Sequence, residues 1–143
     1  MCLAAIHNGA DAIYVGMPGF NARGRSHDHS WEELKEIIEL CHLYDLKVNV
    51  AFNILLFEDE LADAFKAIKS LIKLGADALI VQDIAAAKMV RALCEEQDIH
   101  GSTQMSQSNA LGIKLLDDLS IKRFVLAREN SLTDIEAITA ETS

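Results

Sequence analysis

"NGADAIYVG" at residues 8–16 and "LGADALIVQD" at residues 74–83 are nearly the same phrase written twice. In each copy a helical pattern runs up to the glycine: "MCLAAIHN" before Gly9 and "LADAFKAIKSLIKL" before Gly75. A glycine placed there can take the left-handed conformation that ends a helix, which residues with a Cβ resist. A short Ala-Asp-Ala connector follows, then "IYVG" or "LIVQD", an apolar run long enough only for a buried strand. Each copy reads as a helix stop, a tight turn and a core strand. That is the joint of a repeating β/α chain.

Outward from these two joints the same logic recurs. "KVNVAFN" (47–53) follows the helical "WEELKEIIELCHLYD", "IHGSTQ" (99–104) follows "AAAKMVRALCEEQ", and "RFVLARE" (123–129) follows "ALGIKLLDDL". Measured at Ile13, Val48, Leu79, Ile99 and Phe124, the units recur after 35, 31, 20 and 25 residues. Helix starts are also written in. Ser30 with Glu33 makes a capping box, Asp83 can cap a helix beginning at Ile84, and Ser131 with Asp134 opens the last helix, "LTDIEAITAE". Between residues 59 and 74, Leu61, Phe65, Ile68, Leu71 and Ile72 form one stripe, with Glu60, Asp63, Lys66 and Lys73 away from it.

Five strands thus alternate with six helices, with one proline and no linker or low-complexity stretch, so residues 1–143 read as one α/β domain. Such alternation forces parallel strands with helices packed outside, because each strand is re-entered from the same end. A doubly wound sheet and a (β/α) barrel both satisfy it. The lack of GxGxxG after the first strand and the recurrence of the units favour a partial (β/α) TIM-type barrel. A closed barrel needs eight strands, and this chain opens on a helix with no strand before it. The expectation is a truncated barrel domain, a piece of a larger protein.

Composition sets further bounds. With half of its 143 residues hydrophobic, the chain can bury a real core. No run approaches the about 18 apolar residues of a membrane helix, and the start lacks the basic region of a secretory signal. No membrane association and a cytoplasmic location are the expectations. The formal net charge of −9 disfavours non-specific nucleic-acid binding by this stretch alone, since phosphate contacts need clustered Lys and Arg. Cys2, Cys41 and Cys94 are scattered, with no CxxC pair, and read as plain thiols rather than disulfide or metal ligands.

In parallel α/β architectures the carboxyl ends of the strands carry the reactive groups, because the loops there converge on one mouth. After the first strand comes "GMPGFNARGRSHDHS", with Asn21, Arg23, Arg25, His27 and His29. The next strands end in Asn53, in Gln82-Asp83, in Ser102-Thr103-Gln104 and in Arg128-Glu129. Amides, hydroxyls and a guanidinium at one rim can recognise a carboxylate or a nucleobase edge. Each has a plainer reading: Asp83 as a helix cap, Arg128 and Glu129 as an ion pair, Ser102 and Thr103 as hydroxyls bonded to backbone. His100 reads as packing or facing a helix. His27-Asp28-His29 has metal-binding spacing but lacks further ligands. Asn53 and Gln104 stand out, since an amide at the end of an apolar strand is costly unless something satisfies it. There is no GxSxG, no HExxH, and no Cys beside a His partner.

"NGADAIYVGMPGFNAR", "VNVAFNILLFEDEL", "GADALIVQD", "IHGSTQMSQSN" and "KRFVLARE" occur in the order and spacing of the collagenase-like peptidases, peptidase family U32. The chain resembles that family from end to end, and most of all the branch associated with hydroxylation of a ribosomal RNA cytidine. Sister branches are linked to prephenate-dependent tRNA uridine hydroxylation and to oxygen-independent ubiquinone hydroxylation. The resemblance implies a barrel-like catalytic domain that begins with a strand of the type "ELLAPAG" and continues into a cysteine-bearing region. In several branches that region binds an iron–sulfur cluster, and Cys2, Cys41 and Cys94 do not match its ligands. The resemblance implies a substrate-facing rim of Asn21, Arg23, Asn53, Gln82, Asp83, Ser102, Thr103, Gln104, Arg128 and Glu129. The activity it implies is nominally that of a peptidase and in substance RNA-base hydroxylation, on a small anionic molecule or RNA. The alternative is a non-catalytic truncated fragment that folds or pairs as a homodimer.

Overall fold

At the second of the two joints, α3 (Leu61–Leu74) stops on Gly75 at φ +86°, and the amides of Gly75 and Ala76 turn back onto the carbonyls of Ile72 and Leu71. At the first, Gly9 takes φ +72° just after α1 (Cys2–His7). Both glycines occupy the left-handed region that favours their missing Cβ. The chain then enters β1 (Ala12–Gly16) and β3 (Ala78–Val81) respectively. The repeated phrase is the αβ joint in both places.

The computed structural model describes residues 2–22 and 29–142. The remaining elements are α2 (Trp31–Leu43), β2 (Lys47–Phe52), α4 (Ile84–Leu93), β4 (Asp98–Gly101), α5 (Ala110–Lys114), β5 (Arg123–Phe124) and α6 (Leu132–Thr142). Among the described residues these make five strands and six α-helices, with short 3-10 turns at Glu58–Glu60, Thr103–Met105 and Asp117–Leu119. The expected caps form. Ser30 and Glu33 exchange bonds at 3.1 and 2.7 Å, and the Ser131 hydroxyl accepts from the Asp134 amide at 3.2 Å. The paired Ser131 hydroxyl and amide hold the Asp134 carboxyl below the usual range.

All strands are parallel and lie in sequence order, β1-β2-β3-β4-β5. This order separates the two expected architectures. A doubly wound sheet reverses direction midway, whereas a barrel advances one strand per unit. Here nothing reverses. Val15, Val48, Val50, Phe52, Leu79, Val81 and Ile99 pack with Leu34, Ile38, Ala64, Ile68, Leu71, Ala86 and Val90 in one core. α2, α3 and α4 therefore share one face of the sheet, as the outer ring of a barrel does.

Because side chains alternate along a strand, the registers fix what occupies the other face. Tyr14, Asn49, Ala78 and Asp98 form one row, and Gly16, Ala51, Ile80, His100 and Arg123 the next. His100 is buried, with 8% of its surface exposed, but it lies opposite the helix-facing Ile99. Of the two expected readings, packing or facing a helix, the side chain packs, on the face that the register sets opposite the helices. Burial, followed by the nearby Arg123 charge, pushes the imidazole below its ordinary pKa.

Two strands are shorter than their sequence pattern. "IHGSTQ" turns at Ser102, whose hydroxyl accepts from the Gln104 amide at 3.2 Å and starts a 3-10 turn. "RFVLARE" is ladder-bonded only at Arg123 and Phe124 and through the Val125 amide to Gly101, because β4 alone pairs with it. No helix of the described residues is long and apolar enough to cross a membrane.

Candidate functional site

The carboxyl ends of β2, β4 and β5 open into a cleft of about 650 Å³ lined by Ala22, Asn53, Thr103, Gln104, Ser106, Ser108, Ala127, Arg128 and Glu129. Parallel strands in sequence order bring these ends to one rim, and the turns that follow set the side chains. Ser106 takes φ +55° as the 3-10 turn Thr103–Met105 closes, which returns the chain toward β5. The Ala127 backbone amide donates to the Gln107 carbonyl at 2.9 Å, and the Asn130 side-chain Nδ2 to the Ser108 carbonyl at 2.9 Å. The two walls contributed by residues 103–108 and 127–130 are thereby tied together.

Asn53 is the hinge between three loops. Its Oδ1 accepts from the Ala22 amide at 3.3 Å, and its Nδ2 reaches the Ser102 hydroxyl at 3.5 Å. Ser102 itself is buried and supports the cleft from below. The amide that sequence logic marks as needing satisfaction is met by the protein's own backbone and hydroxyls. Asn21 lies over the end of β1, its Nδ2 donating to the Met17 carbonyl at 2.6 Å. A Cβ on Gly16 would stand 2.8 Å from the Asn21 Cγ, so this approach requires glycine.

Of the expected rim residues, Asn53, Thr103, Gln104, Arg128 and Glu129 line the cleft together. Asp83 does not. Its carboxylate accepts from the Ala85 amide at 2.7 Å and the Leu56 amide at 3.1 Å, so it caps α4 and pins the loop after β2. Gln82 follows β3 half-buried, outside the lining. Arg23, Arg25 and the His27-Asp28 part of the metal reading lie outside the described residues. Ser106, Ser108, Ala22 and Ala127 are cleft residues that strand-end reading passes over. The run "TQMSQSN" signals the two serines, because polar residues that dense after a buried strand mark a turn at the rim.

Among the described residues, the charges of the cleft are Arg128 and Glu129, both exposed. Among the described residues neither takes part in an ion pair, so they are not the mutual clamp that one reading offers. A guanidinium flanked by amides and hydroxyls suits a carboxylate, a phosphate or a base edge. Among the described residues no group of three or more His, Cys, Asp or Glu is placed to hold a metal ion. The three cysteines are free thiols on α1, on α2 and at the end of α4, and do not fit an iron–sulfur cluster.

The chain is 39% identical over 134 residues to the 23S rRNA 5-hydroxycytidine synthase of Escherichia coli, a match covering 94% of this chain and 20% of that protein. It is 33% identical to tRNA hydroxylation protein P of Escherichia coli, over 91% of this chain and 29% of the relative. It is 31% identical to a collagenase of Porphyromonas gingivalis, over 95% of this chain and 32% of the relative. The chain therefore spans about a third or less of the curated relatives it matches. Among solved structures, a U32 peptidase superposes with a TM-score of 0.75 at 17% identity, over 94% of this chain and 58% of that one. A Schiff-base-forming fructose-1,6-bisphosphate aldolase follows at 0.70 and 15%, over 99% of this chain and 62% of that one, a likeness of fold alone. The sequence profile of Peptidase family U32 matches residues 1–143, and the chain belongs to that family.

Proposed function

We propose that this chain provides part of the substrate rim of an RNA-modifying enzyme that hydroxylates a pyrimidine base, acting in the cytoplasm. The observation that carries the reading is the cleft itself, where Arg128 is unpaired among the described residues and stands beside Gln104, Thr103 and the hydroxyls of Ser106 and Ser108. In this reading Arg128, with Arg23 from the first loop, binds an anionic group. Gln104 orients the base or small molecule by its amide, and Asn53 holds the loops that shape the opening. Relatives named for rRNA and tRNA hydroxylation support RNA as the class of substrate. The net charge of −9 favours a reading in which this rim holds only the reacting group and other polypeptide makes most of the RNA contact.

Peptide hydrolysis is the weaker reading. It requires an activated nucleophile or a metal-bound water, and the described cleft residues supply neither. Proteolysis by purified, metal-free chain would reverse that judgement. The main test is Arg128→Ala in the protein as expressed in its own cell, read by mass spectrometry of RNA nucleosides. The hydroxylated nucleoside should vanish while the protein level stays unchanged; undiminished modification sinks the proposal.

A second, non-catalytic reading is favoured by the inner face of the sheet, where Tyr14 is 59% and Val125 44% exposed. Two copies covering each other there would form a homodimer. Sedimentation at micromolar concentration distinguishes them, a monomer counting against the pairing.

A further inference from the structure

Ile54, Leu55, Leu56 and Phe57 follow Asn53 of the cleft as an unbroken apolar run, and Glu58, Asp59 and Glu60 follow them. The core uses only part of this run. Leu56 packs against it, while Leu55 keeps 58% and Phe57 68% of its surface in solvent. The backbone beneath these two side chains is fastened on both sides. The Leu56 amide donates to the Asp83 carboxylate at 3.1 Å, the Phe57 amide to the Glu60 carboxylate at 2.9 Å, and the Glu60 amide to the Phe57 carbonyl at 2.9 Å. The bond to Asp83 also sets the loop beside the start of α4, where Ile84 is 48% exposed. The result is a small apolar ledge at the cleft end of the sheet, held in shape before anything covers it. Glu58 and Asp59 border it, both exposed, and among the described residues neither enters an ion pair.

We propose that this ledge is a docking surface for a basic polypeptide segment with apolar anchors. Charge decides among the occupants. RNA would bring its phosphates against Glu58 and Asp59, and residues 53–60 contain no Lys or Arg to offset them. A second copy, related by a two-fold axis, would set the same carboxylates against each other on chains that each carry −9. A segment with lysines or arginines around a leucine or phenylalanine answers both features at once. Its apolar side chains cover Leu55 and Phe57, and its cations meet Glu58 and Asp59. A phenylalanine on a backbone already fixed is a good anchor, because little freedom is lost when it is covered. The assignment rests on the reading of the cleft as part of an RNA-modifying enzyme. It gives an acidic chain a hold on polypeptide that is itself basic enough to lie on RNA.

The test is binding of a fluorescent leucine–lysine peptide to the intact chain, with a leucine–glutamate peptide as its counterpart. The basic peptide should bind and the acidic one should not, and the affinity should fall as salt rises. Phe57→Ser removes one anchor and should weaken binding about tenfold. Glu58→Gln together with Asp59→Asn should weaken it about as much at low salt. These changes fall on exposed side chains and leave the bonds of Leu56 and Glu60 in place, so the fold is retained. Glu95→Gln with Glu96→Gln removes the same charge past the end of α4, and Leu43→Ser removes a comparably exposed apolar side chain at the end of α2. Neither control should alter binding. Arg128→Ala should bind the peptide like the parent while losing the modified nucleoside, so the docking and the reading of the cleft fail separately. Binding untouched by Phe57→Ser, equal losses in the controls, or single-stranded RNA crosslinked to Phe57 in place of the peptide would each overturn the proposal.

Discussion

Arg91 is the side chain whose removal should be felt most at the end of the sheet away from the cleft. Its Nε donates to the Leu119 carbonyl at 2.8 Å and its Nη2 to the Ser120 carbonyl at 2.9 Å. Its Nη1 donates to the carbonyls of Glu95 and Gln97 at 2.6 and 2.7 Å. One guanidinium on α4 thus holds the loops that lead into β4 and β5. Arg91→Met keeps the apolar stem and deletes every donor. A hydrogen bond from a charged group contributes about 1.5–3 kcal/mol, and the buried acceptor it leaves is what costs most. The bonds to Glu95 and Ser120 are exposed, so water replaces them at little loss, while those to Leu119 and Gln97 are partly buried. Counting only the latter pair, and allowing for one charge shared among four acceptors, gives a destabilisation of about 3 kcal/mol. With a urea slope of about 2 kcal/mol/M, the midpoint should fall by about 1.5 M. Arg91→Lys, a point charge without the fork, should recover less than half of that. A midpoint shift under about 0.5 M, or full recovery by lysine, would show that the clasp is incidental.

Two other outcomes follow from the same structure. Asp83→Ala removes the α4 cap and the tie to Leu56, and should lower stability by about 1–2 kcal/mol, whereas Asp83→Ser should retain most of the cap. Equal losses in chemical denaturation would mean that the carboxylate acts by its charge rather than as a cap. For His100 the folded pKa lies below the unfolded one, so the unfolded chain takes up a proton that the fold resists. Stability from this group is complete above the ordinary histidine value of about 6.5 and declines as pH falls below it. Tm compared at pH 7.5 and 5.5 should drop less in His100→Gln than in the parent; identical drops would refute the assignment.

The joints and helices were the most legible parts of the chain because their causes are local. Gly75 ends α3 through its own φ, and Ser30 and Glu33 cap α2 through their own side chains. Strand ends were less legible. Whether "IHGSTQ" continues or turns depends on Ser102 bonding back to Gln104, and β5 shortens because pairing comes from one side only. The face of His100 turned on register, which periodicity over a four-residue strand cannot supply. In the cleft, Asn53 and Gln104 were foreseeable as amides closing apolar strands, and Asp83 equally as a cap. Ser106 and Ser108 were legible only as members of a polar turn, since the left-handed φ at Ser106 decides where that turn points.

The unreversed strand order also governs how the molecule can be assembled. Every strand after the first pairs with the one completed a single unit earlier, so each addition closes a loop of only one crossover, and no step waits for a distant segment. A chain leaving the ribosome can lay down each new strand on a template already in place. The last strand laid down, β5, with its short ladder to β4 alone, is the least secured part of the sheet.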